Sequence, residues 1–150
     1  MRMVTPAHLA FPHAFREAFD TLAEVSSFAV FWKDSRSRFL GCNRVFARRV
    51  GAHEPRDIIG LSDGDLPLLT PEHRSYLRWD RIVMDTGVAR RGIVEPLWTP
   101  AGERTWVSTD KMPIRDERGV VVGLLGAFGP YDPLFLHPEN VPDPWTGAGP

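Results

Sequence analysis

Five short apolar, strand-like runs lie between residues 28 and 131. The runs are FAVFWKD, FLGCN, GIVEPLWTP, ERTWVSTDKMPI and VVVGLLGAF, and a compact helical block separates the second from the third. Short alternating runs bounded by turn residues are typical of antiparallel strands, whereas the block between them has helical spacing. The pattern predicts an α+β fold with one five-stranded antiparallel sheet and helices packed on one face.

Two helices inside this region have start and stop signals. Asn43 is placed to cap a short helix over residues 44–50, which Gly51 would end. A Thr-Pro-Glu start predicts a longer helix over residues 71–86, and Gly87 is its stop. The face expected to cover the sheet carries His73, Tyr76, Leu77, Asp80, Val83 and Met84.

The segments on either side of the sheet have different patterns. Residues 13–24 predict an amphipathic helix, in which Phe15, Phe19 and Leu22 recur at helical spacing after Phe11. From residue 132 the chain is rich in proline and lacks a strand or helix pattern, which predicts a tail or linker. The sequence therefore divides into a flanking helix at 1–27, a core domain at 28–131 and a tail at 132–150.

Composition narrows the possible functions. A chain of 150 residues with a net charge of −1 predicts one domain and argues against direct nucleic-acid binding. Of its eighteen basic residues only Lys33 and Lys111 are lysines, and the arginines are dispersed. The single cysteine, Cys42, excludes an intrachain disulfide and a thiolate metal site, and we expect a cytoplasmic location. No run approaches the roughly 20 apolar residues of a membrane span, so we expect no membrane partner.

Several short motifs resemble a known family when they are taken together and in order. They are Trp32-Lys33-Asp34, the run from Asn43 to Phe46, Gly60, Asp65, Thr86-Gly87 and Lys111-Met112-Pro113, within the phrases FWKDSRSRFLGCNRVFARRVG and KMPIRDERGVVVGLLG. Over residues 28–129 the chain resembles the PAS domain family, in particular bacterial sensory PAS domains that precede histidine kinases or transcription-regulator output domains. The resemblance implies a PAS fold and a role in sensing and dimerisation. It leaves the ligand open, since such domains bind haem, flavin, small metabolites or nothing.

The end of the last strand departs from that family. Pro130-Tyr131-Asp132-Pro133 stands where an Asp-Ile-Thr sequence usually leads into a signalling helix. Proline blocks a helical continuation, so helical transmission to a C-terminal output domain is in doubt for this chain.

A ligand pocket is predicted between the concave face of the sheet and the two helices. Alternation in the last two strands places Val107, Thr109, Leu124 and Phe128 on one face, and the resemblance makes that face concave. The predicted contributions from the helices are Phe46, Tyr76, Asp80 and Met84. Asp80 lies on an otherwise apolar stripe and must find a hydrogen-bond donor, either a neighbouring side chain or a ligand group.

Cofactor and metal sites are not predicted. His73 faintly resembles the haem ligand of haem-binding PAS domains, but it lies in the first turn of its helix. Cys42 precedes the asparagine and ends a strand, whereas the reactive cysteine of flavin-binding relatives lies in a helix. Asp63 and Asp65 are expected to accept hydrogen bonds from local amides. No nucleophile motif, zinc-protease motif or phosphate-binding glycine loop is present, so we expect no enzyme activity.

The convex face of the sheet is the predicted dimer interface. A two-residue turn at Ala101-Gly102 would pair Leu97 with Trp106 and bring them beside Leu125 on that face. The helix stripe of Phe11, Phe15, Phe19 and Leu22 would cover this apolar patch, and an exchange between two chains would give a homodimer.

These patterns together predict a sensory module. It would bind a small molecule or mediate dimerisation, and it would regulate a linked or partner output domain such as a histidine kinase or a DNA-binding regulator. The alternative is a ligand-free domain for protein–protein interaction, with its core filled by side chains. The two hypotheses differ in whether the structure contains a cavity.

Overall fold

The computed structural model describes residues 17, 21, 22, 25, 27–68 and 71–131. Its strands are β1 (Ala29–Asp34), β2 (Phe39–Cys42), β3 (Arg90–Trp98), β4 (Arg104–Arg115) and β5 (Val121–Pro130). Its helices are α1 (Arg44–Arg49) and α2 (His73–Thr86), with 3₁₀ turns at Pro55–Ile58 and Asp63–Asp65 between them.

The five strands form one antiparallel sheet in the order β2-β1-β5-β4-β3. β5 is therefore the central strand, between β1 and β4, and the two edge strands are β2 and β3. α1 packs against β1, and α2 packs against β4 and β5. The predicted PAS-type α+β fold, with five antiparallel strands and helices on one face, is confirmed.

The three hairpins of the described sheet share one loop geometry. In each hairpin, three loop residues separate two residues that are hydrogen-bonded to each other, and the backbone amide of the first donates to the carbonyl of the second. The pairs are Asp34 with Arg38, Thr99 with Glu103, and Asp116 with Val120. The third loop residue is left-handed each time, at Ser37 (φ 57°), Gly102 (φ 82°) and Gly119 (φ 79°). This is a type I turn followed by a left-handed residue, which favours glycine.

The predicted two-residue turn at Ala101-Gly102 is therefore wrong. The loop has three residues, so Trp106 pairs with Pro96 and Leu97 pairs with Thr105. A register shift of one residue moves a side chain to the other face of the sheet. Leu97 consequently lies on the inner face, where it is buried, rather than on the convex face.

The predicted helix signals around α1 are confirmed. The Asn43 side chain accepts a hydrogen bond from the Phe46 amide at 2.9 Å, and Gly51 follows the helix with φ 80°. Asn43 also accepts from the Val30 amide at 3.0 Å and donates to the Phe28 carbonyl at 2.9 Å. One side chain thus caps α1 and fixes the entry into β1.

Asn43→Ala is expected to lower the free energy of unfolding by about 2–3 kcal/mol, because the cap is lost and buried backbone groups lose their partner. Asn43→Asp is the control. It keeps the two acceptor bonds and loses only the bond to the Phe28 carbonyl, so the cost should be smaller. Urea unfolding of both variants measures their losses in unfolding free energy. Equal losses for Asn43→Ala and Asn43→Asp would contradict the capping role.

The start of α2 is partly outside the described residues. The helix begins at His73 after Glu72, and the predicted capping residue at position 70 is among those not described. Gly87 ends the helix in the left-handed conformation with φ 65°, as predicted.

An aromatic cluster fills the core between β1, β2, β5 and α1. Phe46 lies 4.9 Å from Phe31, 5.3 Å from Phe39 and 5.8 Å from Phe128, measured between ring centroids. All four rings are buried. Tilted and edge-to-face pairs at these distances are favourable for aromatic side chains.

Only parts of the flanking segments are described. Glu17, Thr21, Leu22 and Val25 have helical backbone, and the Thr21 hydroxyl donates to the Glu17 carbonyl at 2.8 Å. The predicted tail at 132–150 lies outside the described residues. Across the described ranges, no helix is long and apolar enough to cross a membrane.

Candidate ligand-binding cavity

A cavity of about 50 Å³ lies between the inner face of the sheet and the helical side of the domain. Its apolar walls include Phe31, Phe46, Val50, Leu97, Val107 and Phe128. Its polar walls include Lys33, Arg49, Asp63, Glu95, Thr109 and Lys111, and Tyr76 approaches from α2. A water molecule needs roughly 10–15 Å³ of such volume, so the space holds about four water-sized groups.

Most of the predicted pocket residues lie at this cavity. Phe46, Tyr76, Val107, Thr109 and Phe128 line it. Asp80, Met84 and Leu124 are buried and are not among its lining residues. Asp80 is held by the two lysines that line the cavity, Lys33 and Lys111.

The base of the cavity is a buried network of charges. Lys33 Nζ on β1 lies 2.5 Å from Asp63 Oδ2 and 2.5 Å from Asp80 Oδ2. Lys111 Nζ on β4 donates to Asp80 Oδ1 at 2.8 Å and to the Tyr76 carbonyl at 3.0 Å. The network joins two strands, α2 and the 3₁₀ turn at Asp63–Asp65. The predicted donor for Asp80 is therefore found, and it is a pair of lysines.

Burial and charge act in opposite directions on Asp80. Burial alone would raise the pKa of its carboxyl, but Lys111 and Lys33 together hold that pKa below its ordinary value. Burial likewise favours the neutral form of Lys111, yet Glu95 and Asp80 raise its pKa above the ordinary value. Asp80 and Lys111 are thus stabilised as a buried charged pair.

Asp63 differs from its prediction. Its carboxylate pairs with Lys33 rather than with local amides. Asp65 does accept from the Ser62 amide at 3.2 Å and from the Ser62 hydroxyl at 2.8 Å, as expected for a local turn. Among the residues that the structure describes, no three His, Cys, Asp or Glu side chains are grouped to hold a metal ion.

Two polar atoms at the cavity lack a hydrogen-bond partner among the described residues. They are Glu95 Oε1 on β3 and Thr109 Oγ1 on β4, and both side chains are buried. The nearest cation to Glu95 Oε1 is Lys111 Nζ, at 3.8 Å, beyond hydrogen-bond length. Burial raises the pKa of Glu95 above its ordinary value, against the opposing effects of Lys111 and of the nearby Thr109 hydroxyl.

The raised pKa of Glu95 predicts a pH dependence of stability. The folded state keeps a proton on Glu95 that the unfolded chain releases above 4.5. The contribution of this proton to the free energy of unfolding is therefore complete below pH 4.5 and is lost as pH rises through the higher folded pKa. Urea unfolding over that pH interval should show the free energy of unfolding of the wild type falling relative to that of Glu95→Gln. Glu103→Gln, in the exposed β3–β4 loop, should follow the wild type; a Glu95→Gln curve parallel to the wild type would contradict the assignment.

Five charged residues that line the cavity were missed as pocket residues by sequence reasoning. They are Lys33, Arg49, Asp63, Glu95 and Lys111, and local patterns of apolar and polar positions give no reason for a charge to point inward. One available signal was composition, because Lys33 and Lys111 are the only lysines in a chain that otherwise uses arginine. An inward lysine must find a carboxylate, and this would have directed attention to Asp80.

Comparison with known families agrees with this architecture. The model of a PAS family, described as PAS fold, matches residues 23–129, which is more than two thirds of the chain. The chain belongs to the PAS family. No curated protein sequence is significantly similar to this PAS domain.

Solved structures share the fold at low sequence identity. VqmA of Vibrio cholerae, described as a dimer in the absence of target DNA and related to LuxR-type receptors, superposes with a TM-score of 0.67 at 21% identity, over 82% of this chain and 52% of that chain. VqmA bound to DPO gives 0.64 at 23% identity, over 76% and 56% respectively. A light-oxygen-voltage domain studied with a flavin analogue gives 0.60 at 16% identity, over 81% and 90%. This PAS domain thus spans about half the length of the VqmA chains.

The residues considered for haem and flavin lie away from the cavity wall. His73 is the first residue of α2, and Cys42 is buried at the end of β2. Neither side chain is among the residues that line the cavity. A flavin-binding neighbour shows that a cofactor is possible in this fold, and nothing in the described residues shows one in this PAS domain.

The outer face of the sheet carries two of the three sheet residues predicted for the dimer interface. Trp106 and Leu125 alternate with inward neighbours and lie on this face, where Trp106 is 47% exposed and Leu125 is half-buried. Leu97 is the exception, because the three-residue loop between β3 and β4 places it on the inner face. Of the predicted helix stripe, Leu22 is 70% exposed, and Phe11, Phe15 and Phe19 lie outside the described residues.

Proposed function

We propose that this PAS domain is a sensor that binds a small molecule in the cavity and passes the signal to an output domain or a partner protein. The observation that carries the proposal is the cavity of about 50 Å³ between the inner face of the sheet and the helical side of the domain, with apolar walls and a few polar side chains. A concave, mostly apolar space with a small number of polar groups is typical of small-molecule sites.

The structural neighbours support a receptor role. VqmA is described bound to DPO and in a complex with ligand and DNA, so a chain of similar fold binds both a ligand and DNA. Because the present chain matches about half of VqmA, we propose that an output function of this kind, either DNA binding or a histidine kinase, lies beyond this domain. Direct nucleic-acid binding and catalysis by the domain itself are not part of the proposal. The cytoplasmic location that we propose is supported by the single, free cysteine.

We further propose that two copies associate through the outer face of the sheet. Trp106 is exposed there beside Arg104, whose guanidinium lies 4.9 Å from its ring. Large exposed aromatic side chains are frequent at protein interfaces. The alternative function, a ligand-free interaction domain, also uses this face and differs in leaving the cavity without a ligand.

The test is native mass spectrometry of the protein purified from its own host, which reports bound mass and oligomeric state together. We expect a small mass above that of the polypeptide, released on denaturation and without haem or flavin absorbance. Val107→Phe narrows the cavity and is the control that should lose this mass while still folding. A wild type that carries no added mass from host extracts, and is not stabilised by them on heating, would favour the interaction domain instead.

A further inference from the structure

One charged side chain at the cavity, Arg49, has no opposite charge beside it among the described residues. It is the last residue of α1 and lines the cavity, and neither a hydrogen bond nor an ion pair joins its guanidinium to the described part of the chain. The other two arginines of α1, Arg44 and Arg48, are exposed and do not line the cavity, whereas Arg49 is half-buried. A half-buried cation has lost part of its hydration and gains from an anion that reaches it.

The other charged side chains at the cavity each lie close to an opposite charge. The pairs are Lys33 with Asp63 and with Asp80, both at 2.5 Å, Lys111 with Asp80 at 2.8 Å, and Glu95 with Lys111 at 3.8 Å. Burial also raises the pKa of Glu95, which reduces the negative charge that this carboxyl adds to the wall. The two lysines are thus already neutralised by carboxylates, and Arg49 is the cation of the wall that is available to a ligand.

Arg49 lies where the cavity meets solvent. All residues that line the cavity are buried except three, which are half-buried: Arg49, Leu68 and Tyr76. We call these three residues the rim. The first two are neighbours in space, because the Leu68 amide donates to the carbonyl of Val50, the residue after Arg49, at 2.9 Å. Solvent reaches a cavity at the lining residues that are themselves exposed, so a ligand that enters at the rim passes beside Arg49.

The space behind the rim is small and mostly apolar. Leu66, Leu97, Val107 and Phe128 contribute to its walls, and its 50 Å³ admits only about four water-sized groups. A short branched hydrocarbon group fits such a space. An ionic group would lose its water there and find the buried charges already paired, so the charged end of a ligand is best placed at the rim.

A carboxylate matches Arg49 in shape and in charge. The planar guanidinium donates two parallel hydrogen bonds to the two oxygens of a carboxylate. A carboxylate also carries a single negative charge, equal to the single cation that lacks a partner. A phosphate monoester carries a charge of about −1.5 to −2 at neutral pH and would bring the excess close to Asp63 and Glu95, which line the same cavity.

We propose that the cavity binds a short-chain organic acid, with its carboxylate on Arg49 at the rim and its apolar body between the sheet and the helical side of the domain. The inference rests on the proposed sensory function and names the class of ligand for it. The paired lysines hold the wall together and do not receive the anion.

Four compounds test the proposed ligand class. Isovalerate is the acid, isovaleramide has the same body without the charge, isopentylammonium is a cation with a similar body, and acetate is a carboxylate with almost no body. Binding of each to the full 150-residue chain is measured by saturable chemical-shift changes in amide NMR spectra at neutral pH. We expect isovalerate to bind at least about tenfold more tightly than isovaleramide, because only the acid forms a charged pair with Arg49.

The other two compounds test the placement of the ligand. Isovalerate should also bind at least about tenfold more tightly than acetate, because only isovalerate buries an apolar body in the cavity. Isopentylammonium should bind more weakly than isovalerate, since it brings a like charge to Arg49. Affinity for isovaleramide, isopentylammonium or acetate that equals the affinity for isovalerate would overturn the inference, and this comparison needs only the wild type.

Two variants test the role of Arg49 itself. Arg49→Gln removes the charge at the rim and should abolish the preference for isovalerate over isovaleramide. Arg48→Gln is the matched control, because it removes the same charge from an exposed neighbour on the same helix, and it should keep the preference. The dispersion of the same spectra shows whether each variant is folded. A preference that persists in Arg49→Gln, or that falls equally in both variants, would overturn the assignment of Arg49.

The results also separate this inference from the proposed function. Saturable binding of isovaleramide or isopentylammonium in preference to the acid overturns the ligand class but leaves a sensor that binds a small molecule. Failure of all four compounds to bind overturns the ligand class as well, and the sensory function is then decided by the mass bound to the protein from its own host.

Discussion

Asp80→Asn is expected to lower the free energy of unfolding by about 3–5 kcal/mol, the range for removing one partner of a buried ion pair. Asp80 is fully buried and is the carboxylate that both Lys33 and Lys111 contact, at 2.5 and 2.8 Å. Asparagine keeps the size of the side chain but leaves two buried ammonium groups with less opposite charge. Urea unfolding monitored by tryptophan fluorescence measures the loss.

The control for this substitution is Asp85→Asn on the same helix. Asp85 is exposed and lies 3.8 Å from Arg81 one turn away, a surface pair worth about 0.5 kcal/mol or less. Both variants remove one negative charge from α2, so the difference between their losses in unfolding free energy reports the effect of burying that charge. A loss at Asp80 no larger than that at Asp85 would show that the buried network does not stabilise the fold.

The effect of Asp80→Asn should also depend on pH. The pKa of Asp80 is lowered in the folded state, so its contribution is present above the ordinary value of 3.8 and is lost as pH falls through the folded pKa. The gap in stability between wild type and Asp80→Asn should therefore be constant near neutral pH and narrow in strong acid. A gap that stays unchanged at every acidic pH where the protein folds would contradict the charge assignment.

Phe46→Ala is expected to cost about 3–5 kcal/mol, because it removes a buried ring and leaves a larger cavity. Phe46 is in contact with three other aromatic rings and also forms part of the cavity wall. The substitution joins the space left by the ring to the existing cavity. Chemical denaturation measures the loss in the free energy of unfolding.

Phe28→Ala is the matched control for Phe46→Ala. The chemical change is identical, but Phe28 is 54% exposed, and its ring lies over Gly129. We expect a loss of about 1 kcal/mol, from the smaller apolar area that is returned to water. Equal losses at the two positions would mean that the aromatic cluster around Phe46 is not the centre of the core.

Elements governed by neighbours in the chain could be predicted from the sequence. The cap at Asn43 and the stop at Gly87 depend on residues within one helical turn, and both are found as predicted. Strand alternation correctly placed Val107, Thr109 and Phe128 on the inner face. The same local reasoning failed at the β3–β4 turn, because two-residue and three-residue loops both end in glycine and differ in register by one residue. Leu97 was assigned to the wrong face for that reason.

The charged base of the cavity was decided by tertiary structure. Composition showed that Lys33 and Lys111 are the only lysines, and the helical spacing of apolar residues around Asp80 showed that Asp80 needed a donor. Their pairing joins residues 31 and 47 positions apart, and such contacts leave no local periodic trace. Likewise, only the assembled sheet shows that Glu95 Oε1 and Thr109 Oγ1 lack partners, since a missing hydrogen bond depends on every element that packs nearby. The sequence by itself determined the elements and the inner face; tertiary packing alone determined the charge balance of the cavity, because electrostatic energy depends on distance in space and on burial.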